Sequence, residues 1–533
     1  MSTVMTEQPQ VLPDPAPGDP RRAMVALARV EAVRLLRHPV TIAGILLFVG
    51  PELYGWLSGG ANRYPVLQDE DRSKQFLALL ALGGAALIAA NLAALRAHRH
   101  ATTVLYDTFV LPQPWRTGAF LLSVVPFGLL VAVLVAVRIG LLAAVPGAAG
   151  RPNPYELAAY PAAVLLLGAA GVLLARLVRA VIVAPLLLLV LAVVTVAGLL
   201  PSTPAAARLR WLLPIAMDEP PMPLPVDLMS RPAGWHLAYV VGLIVLVAAA
   251  ALAVTGARGR RLVAAGAAGL SITVLAGSAQ FFPTSDAVRT AQATAAERPA
   301  EMQSCQRIDQ VTYCAFDDFA PWVGGWDAVV RGVLRRVPEA QARQPLAVRQ
   351  RISTADRAAN GLVVTAEEQA AAAAAWRRVD ADAGTPNAVT VGTRWGDGES
   401  EIGFAGLVAY EVVARAGGPA GGQVCGARGV LVGWLAGQAT PKATDGLREV
   451  DANSWGGVPF GEWQFPVALS VPDREMAVAL ALLKRPADEV AELVRRSWAE
   501  LSAAGTPTER AGELFGVAVA PLPPEEERTV CEA

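Results

Sequence analysis

The sequence predicts an α-helical polytopic membrane protein of about seven spans, followed by a mainly helical α+β extracytoplasmic domain. Three observations predict this architecture. Hydrophobic residues make up 54% of the 533 residues, and the mean hydropathy is +0.41. The long apolar runs are confined to residues 1–282, whereas most acidic residues and all four cysteines follow them. A net charge of −1 gives no reason to expect nucleic acid as a partner.

The chain begins with a polar segment and then an amphipathic one. Residues 1–20 are rich in Pro, Gln and Asp, which predicts disorder, and they lack the basic start and cleavage site of a signal peptide. Residues 21–37 place apolar side chains on one arc of a helix and mainly charged ones on the other: Arg22, Arg29, Glu31, Arg34 and Arg37. A basic amphipathic helix before a span is expected on the cytoplasmic surface, against anionic lipid.

A transmembrane domain is predicted over residues 38–282. Its seven apolar runs are 39–57, 75–95, 118–146, 157–177, 180–200, 235–256 and 261–282. Arginines are concentrated in alternate connecting segments, which the positive-inside rule assigns to the cytoplasm. An odd number of spans after a cytoplasmic N-terminus puts 283–533 outside. Because alanine is abundant and arginine far outnumbers lysine, we expect a high-GC bacterial source and a plasma-membrane location.

Residues 96–117 form a basic polar segment between the second and third spans. Within it, 101–111 have the pattern of a short amphipathic helix, which Pro112 and Pro114 would end. The polar arc of this helix carries Tyr106 and Asp107. The segment is either a linker helix in the lipid headgroups or a docking helix that presents this arc to a partner below the membrane.

Ionisable side chains are few within the predicted spans. Glu52 lies in the outer part of the first span and Arg138 in the outer part of the third. A charge in a bilayer needs a partner or a water-filled cavity, so both are functional candidates. Either they reach the interface singly, or they form an ion pair.

The cysteines agree with an exported C-terminal domain. Cys305, Cys314, Cys425 and Cys531 all follow the last span, and an even count in an exported domain favours disulfides. Four cysteines allow three pairings. We expect Cys305–Cys314 as a short local loop, which leaves Cys425–Cys531 to tie the C-terminus to the middle of the domain.

Local signals predict the elements of the C-terminal domain. Capping boxes at 365–368 and 506–509 precede expected helices, the first of them over 369–380. Further helices are expected at 473–482 and 488–499, and strands at 311–315 and 388–395.

No catalytic motif is complete in this sequence. It has no G-x-x-x-x-G-K-[ST] loop, so ATP phosphates would be bound by another polypeptide. Residues 410–414 match an H-E-x-x-H pattern only at Glu411, because Tyr410 and Ala414 occupy the two histidine positions. The four histidines are all before residue 283, which removes the usual zinc ligands and triad bases from the C-terminal domain. We expect no catalytic residue and no metal, although carboxylate-pair hydrolysis stays open.

Several segments of this chain have a recognisable pattern: VEAVRLLRHP at 30–39, TVLYD at 103–107, LPQPWR at 111–116, the Cys305–Cys314 opening of the last domain and CGARGV at 425–430. Taken with the order of the spans, these segments resemble the permease subunits of ABC-2-type transporters, especially the actinobacterial kind. The resemblance covers most of the chain. The chain departs from the six-span pattern of that family, because it has a seventh predicted span and a large C-terminal domain.

The resemblance implies a function for which this chain needs no catalytic residue of its own. Residues 21–37 would be an interface helix and 96–117 a coupling loop, both contacting a separate P-loop ATPase that binds ATP and Mg. The interface residues would be Arg29, Arg99, Tyr106, Asp107 and Arg116. Two permeases would pair in the bilayer, as a homodimer or a heterodimer.

Other classes of function remain as alternatives. The chain could be a membrane-anchored receptor or scaffold whose ectodomain binds an extracellular ligand. It could carry a degenerate metallopeptidase-like ectodomain, or it could be a secondary transporter, which would be expected to show more midplane polar groups. Most C-terminal tryptophans are expected in the core, while the loop at 455–461 could line a recognition groove for a domain that binds or gates.

The predicted topology can be tested with reporter fusions. We expect fusions after Leu57, Arg99, Arg179 and Ala300 to read outside, inside, inside and outside, because arginine-rich segments stay in the cytoplasm. Paired phosphatase and fluorescent-protein reporters at each position provide the measurement and its control. A cytoplasmic reading at Ala300 would contradict both the extracytoplasmic domain and its disulfides.

Overall fold

The computed structural model describes residues 19–60, 62–99, 111–198, 209–216, 222–353, 366–414, 422–462 and 465–521. Its N-terminal part is a bundle of helices, and its C-terminal part is a helical body with two small sheets. The longer helices of the bundle are α1 (Pro20–Leu36), α2 (Pro39–Leu57), α3 (Gly84–Arg99), α4 (Gln113–Ser123), α5 (Val125–Ala143), α6 (Pro154–Leu177), α7 (Val183–Ala197), α8 (Ala233–Val254) and α9 (Arg260–Ala279).

Six helical segments are long and apolar enough to cross a membrane. They are Pro39–Leu57, Leu67–Arg99, Gln113–Ala143, Pro154–Leu177, Ala233–Val254 and Arg260–Ala279. Each contains or overlaps one of the seven predicted spans. The segment before α3 is irregular, because Leu67–Glu70 and Gln75–Ala78 are single helical turns and Leu79–Gly83 is a π-helix. Such a stretch is a recognised cause of bending in long helices.

The fifth predicted span, at 180–200, is the shorter helix α7. Its 15 residues extend only about 22 Å at 1.5 Å per residue. Nevertheless the chain has to return through the bundle here. The start of α6 and the segment before α8 lie together, since Glu156 and Arg231 form a salt bridge, whereas α6 ends at the other side of the bundle. The apolar helix α7, which packs on α3 and α6, is the described element between them.

Helix α6 is the centre of the bundle. It packs against α3, α5 and α8, and more than half of its residues are buried. Small residues permit the close contacts: a Cβ at Gly171 would lie 2.3 Å from the carbonyl oxygen of Leu87. Helices α8 and α9 approach in the same way, because a Cβ at Gly242 would lie 2.6 Å from the Thr273 hydroxyl. Glycine-mediated contact of this kind is typical of helices that associate in membranes.

The C-terminal part contains nine longer helices among the described residues. They are α10 (Asp286–Glu297), α11 (Val323–Leu334), α12 (Ala366–Asp382), α13 (Glu399–Ala414), α14 (Gly426–Gly437), α15 (Ala443–Asn453), α16 (Asp473–Leu482), α17 (Ala487–Arg496) and α18 (Thr508–Phe515). Single turns occur at Glu339–Ala342 and Trp498–Leu501. Helices α13 and α14 pack together at the centre and are buried over most of their surface, which explains their lack of a polar face.

Two small sheets complete this domain. The first has the order β1 (Ser304–Ile308), β2 (Val311–Ala315), β3 (Leu346–Gln350) and β4 (Val389–Val391). The β1–β2 pair is an antiparallel hairpin, and the β2–β3 and β3–β4 pairs are parallel. The second sheet has the order β5 (Gly422–Gln423), β7 (Leu469–Val471) and β6 (Val458–Phe460).

Most predicted elements of the C-terminal domain are confirmed. The helix at 473–482 and the strand at 311–315 have the predicted bounds, and α12 contains the predicted 369–380. The strand expected at 388–395 is only Val389–Val391, and the helix expected at 488–499 is divided between α17 and the turn at Trp498–Leu501. The first capping box begins at Thr365, outside the described residues.

The predicted capping box at 506–509 is wrong. Helix α18 begins at Thr508 after Pro507, and no side chain caps its first turn. The Thr506 hydroxyl instead donates to the carbonyl oxygen of Glu500 at 2.6 Å, and Thr508 donates to the buried Glu475 carboxylate at 2.5 Å. The Thr506 hydroxyl therefore donates to a preceding carbonyl and does not accept a backbone N–H of α18, which is the role a capping box requires.

The two domains share a packed junction. Loops of the bundle contribute Val66, Ala149, Leu224 and Leu228 to the hydrophobic core of the C-terminal domain. The Trp322 indole donates to the carbonyl oxygen of Gly147 at 2.8 Å. We call the side of the bundle that carries these loops, residues 58–74, 147–153 and 222–232, the loop face. The loops that follow the first, third and fifth predicted spans therefore lie on one side, together with the C-terminal domain.

The predicted Cys305–Cys314 disulfide is present, with an S–S distance of 2.04 Å, and it joins directly opposed residues of the β1–β2 hairpin. Cys425 is also disulfide-bonded, and Cys531 lies outside the described residues, so the second pairing stays a prediction.

A glycine in α11 provides a test of the core packing. We expect Gly332→Ala to destabilise the protein by about 1–3 kcal/mol, because a Cβ there would lie 1.7 Å from the backbone carbonyl oxygen of Ala439. Gly324→Ala in the same helix is the matched control, since a Cβ at Gly324 has no neighbour within 4 Å. Thermal unfolding of both purified variants measures the difference. Equal midpoints would contradict the close packing at residue 332.

Candidate functional site

The first candidate region is the side of the bundle opposite the loop face, which we call the basic face. It is formed by helix α1 and by the ends of α3, α4, α6, α8 and α9 at that side. The arginines in these segments are Arg21, Arg22, Arg29, Arg34, Arg37, Arg96, Arg99, Arg116, Arg176, Arg179, Arg258, Arg260 and Arg261. Within the same described segments the carboxylates are Asp19 and Glu31.

The segment at 21–37, predicted as an amphipathic helix, lies almost entirely within helix α1. Pro20 occupies its first turn, and the Asp19 carboxylate accepts the backbone N–H of Arg21 at 2.9 Å. Its buried residues are Ala28, Glu31, Ala32 and Leu35, which follow the spacing of one helical face. The helix therefore packs on the bundle through one side and exposes arginines on the other.

Glu31 joins α1 to the end of α3. The prediction assigned it to the polar, solvent-facing arc, but its side chain is only 3% exposed. One carboxylate oxygen accepts hydrogen bonds from Arg34 and from Arg96, each at 2.8 Å. Arg96 lies in the last turn of α3, directly before the predicted coupling helix. A buried carboxylate that bonds two guanidinium groups is a strong link, because removing one partner leaves a desolvated charge.

Helix α1 also packs along α4, on the other side of the predicted coupling helix. The Met24 sulfur would lie 3.2 Å from a Cβ at Gly118. Arg176, at the end of α6, stacks over the Phe120 ring with 5.6 Å between the guanidinium carbon and the ring centroid. Residues 100–110, outside the described part, therefore connect two helices that both contact α1.

The predicted ATPase-interface residues are distributed over this face. Arg29 is exposed on the outer side of α1, and Arg99 is exposed in the last turn of α3. Arg116 is half-buried in the first turns of α4 and has interacting partners. Tyr106 and Asp107 lie outside the described residues.

The second candidate region is a set of ion pairs near the loop face. The structure brings Glu52 and Arg138 together, with 3.1 Å between Oε1 and Nε. Arg138 also donates to the carboxylate and, at 2.8 Å, to the backbone carbonyl of Glu70. Lys74 is 3.5 Å from the Glu52 carboxylate. The Glu52–Arg138 pair is thus part of a network that joins the ends of α2 and α5 to the irregular start of the second span.

A further buried pair was not predicted from the sequence. Arg231 donates to Glu156 at 2.9 Å, and Gln75 donates to the other oxygen of the same carboxylate at 2.8 Å. Glu156 and Arg231 lie in connecting segments between the predicted spans, where the sequence analysis did not consider them as a site. The signal that could have identified them is their position within a few residues of apolar runs, where a charge is readily buried.

Glu411 lies in helix α13, where the adjoining Val412, Val413 and Ala414 are buried in the core. Among the described residues, no three His, Cys, Asp or Glu side chains are grouped as a metal site.

A groove of about 540 Å³ lies beside the glycine-rich loop that begins at Trp455. The Trp455 side chain is 97% exposed, whereas Trp322, Trp326, Trp395 and Trp434 are buried as expected. Gly456 and Gly457 adopt positive φ angles of 77° and 132°, which explains the need for glycine here. An exposed tryptophan at a groove is a usual anchor for a binding partner.

A buried charged triad stiffens the edge of the first sheet. Arg349 and Arg351, at the end of β3, both contact Asp380 of α12, at 2.8 and 2.7 Å. Arg351 stacks 4.3 Å over the Trp376 ring. Burial raises the pKa of Asp380, and the two guanidinium groups oppose that rise. The arrangement is structural, because it joins a strand to its covering helix.

No protein-family model, no curated protein and no solved structure matches the chain. The geometry of the basic face and of the loop face is therefore the basis for a functional proposal.

The link between α1 and α3 can be tested by hydrogen exchange. We expect Glu31→Gln to reduce the protection of α1 amides about tenfold or more, because breaking a buried charged hydrogen bond costs about 1–3 kcal/mol. Arg29→Gln, which changes an exposed charge on the same helix, is the control and should leave protection unchanged. Unaltered exchange in the Glu31 variant would show that apolar packing alone holds α1.

Proposed function

We propose that this chain is the membrane-spanning permease subunit of an ATP-driven transporter of the ABC-2 type. In this proposal a separate P-loop ATPase binds ATP and Mg, and the chain supplies the pathway, paired with a second permease. The observation that carries the proposal is the Glu31–Arg96 link. It joins a surface helix to the span that leads into the predicted coupling loop.

The proposed orientation follows from charge. The basic face concentrates arginines, and the loop face mixes Asp69, Glu70 and Asp227 with Arg72 and Arg151. The positive-inside rule then puts the basic face in the cytoplasm and the C-terminal domain outside a bacterial plasma membrane. This orientation makes α1 and the 96–117 segment accessible to a cytoplasmic ATPase.

The proposed mechanism is mechanical. ATP binding would draw two ATPase subunits together and displace the surfaces docked on them. Helix α1 contacts α3 through Glu31 and α4 through Met24 and Gly118, so its displacement reaches both spans that flank the loop. Those spans pack on α6, the centre of the bundle. Motion at the basic face would therefore be transmitted to the packing of the whole bundle.

The alternative function, a receptor whose ectodomain binds an extracellular ligand, is favoured by the exposed Trp455 at its groove. The two functions are compatible, because a C-terminal domain that binds or gates can be joined to a permease. Removal of the whole domain is a poor test, since it would expose Val66, Ala149, Leu224 and Leu228 at the junction. Trp455→Ala changes only the groove, and Trp326→Phe, buried in the same domain, is a suitable comparison for folding.

The docking proposal can be tested with a P-loop ATPase that co-purifies with this chain. We expect Tyr106→Ala combined with Asp107→Arg to weaken binding of that ATPase at least about tenfold, because truncating interface anchors typically costs 1–2 kcal/mol or more. Stimulation of ATP hydrolysis by the membrane protein should fall in parallel. Asp227→Arg, an exposed charge reversal on the loop face, is the control.

Two results would contradict the proposal. If no P-loop ATPase associates with the unchanged chain, the permease assignment fails. If the doubly changed protein still binds and stimulates the ATPase normally, the docking site is not the polar arc at residues 106 and 107.

A further inference from the structure

The groove of about 540 Å³ beside Trp455 lies between the start of α13, helix α15 and the loop that follows α15. Its lining includes three carboxylates, those of Asp397, Glu399 and Glu449. None of the described residues that line it is a lysine or an arginine. The groove is therefore an open surface of negative charge with one exposed aromatic side chain.

The carboxylates of this groove are not neutralised by the described part of the chain. None of the three forms a salt bridge among the described residues. Asp397 accepts the backbone N–H of Ser400 at 2.7 Å, so it caps the first turn of α13. Arg448, which precedes Glu449 in α15, lies 3.1 Å from Asp445 of the same helix.

The negative charge acts on two neighbouring carboxyl groups. Burial raises the pKa of Glu401, and the Asp397 carboxylate raises it further. Burial also raises the pKa of Glu462, an effect that Arg394 opposes and Asp397 reinforces. A region that disfavours further negative charge in this way attracts cations from solution.

Trp455 adds an aromatic surface on a fixed backbone. A Cβ at Gly457 would lie 2.5 Å from the carbonyl oxygen of Val471, so the loop packs closely on β7, and the following Val458 is fully buried. The Trp455 side chain is 97% exposed and thus makes almost no contact within the protein. The face of an indole ring attracts guanidinium and ammonium groups, and exposed tryptophans are frequent anchors of interfaces.

We propose that this groove docks a basic peptide segment of a partner protein. An arginine of the segment stacks on Trp455, and further cationic side chains pair with Glu399 and Glu449. A metal ion fits less well, because no three His, Cys, Asp or Glu side chains of the described residues are grouped closely enough to hold one. Carboxylates that are spread along a groove instead match several positive charges carried along one chain.

This inference rests on the ligand-binding role considered above for the C-terminal domain, and it names the class of ligand. It does not depend on ATPase docking, which is measured with a different partner at the basic face. Either proposal can therefore fail while the other holds.

The probe is a fluorescent pentapeptide in which three arginines alternate with two glycines. The same peptide with citrulline in place of arginine is its neutral match, because citrulline keeps the length of the side chain and removes the charge. The full-length protein is held in nanodiscs of zwitterionic lipid, and empty nanodiscs give the background. By fluorescence anisotropy we expect saturable binding of the arginine peptide below about 1 mM, and at least about tenfold weaker binding of the citrulline peptide.

Two variants locate the peptide. Trp455→Ala changes an exposed side chain, so we expect it to fold and to bind the arginine peptide about tenfold or more weakly. Glu399→Gln combined with Glu449→Gln should weaken binding about threefold or more and reduce its dependence on salt. Asp397 is left unchanged because it caps α13. Glu297→Gln, an exposed carboxylate of α10 outside the groove, is the control and should bind as the unchanged protein does.

Four results would overturn the inference. Absence of saturable binding by the unchanged protein would show that the groove does not accept this chemistry. Equal binding of the citrulline peptide would show that charge is not recognised. Undiminished binding by both groove variants would place the peptide elsewhere. Binding of spermidine more tightly than the arginine peptide would assign the groove to a small polyamine and not to a peptide.

Discussion

The junction between the bundle loops and the C-terminal core is the constraint on which the rest of the architecture depends. Val66, Ala149, Leu224 and Leu228 are core residues of a domain that begins more than fifty residues after the last of them. Because these loops are buried in one body, the chain must recross the bundle between α6 and α8. Helix α7 is therefore assigned to this crossing, although its 15 residues make it shorter than the six spanning segments.

Buried charge in the bundle is found near its two ends. Glu31 and Arg96 meet at the basic face, and the Glu52–Arg138 and Glu156–Arg231 pairs lie toward the loop face. The reason is desolvation: a charge is cheapest to bury where several hydrogen-bond donors converge and the interface is near.

The two faces of the bundle suit different tasks. The basic face presents exposed arginines on helix α1, which is joined to α3 through the Glu31–Arg96 pair. The loop face is covered by the C-terminal domain.

Periodicity in the sequence was sufficient to predict most of the apolar helices and the helix α1. These are local properties, because 3.6- and 2-residue repeats and arginine clusters act within one turn or one strand. The Cys305–Cys314 hairpin is local for the same reason. Only the tertiary structure decided that Glu31 is buried against Arg96 and that Glu156 is buried against Arg231. The two residues of each pair are distant in sequence, and no local pattern specifies which distant group will be the partner.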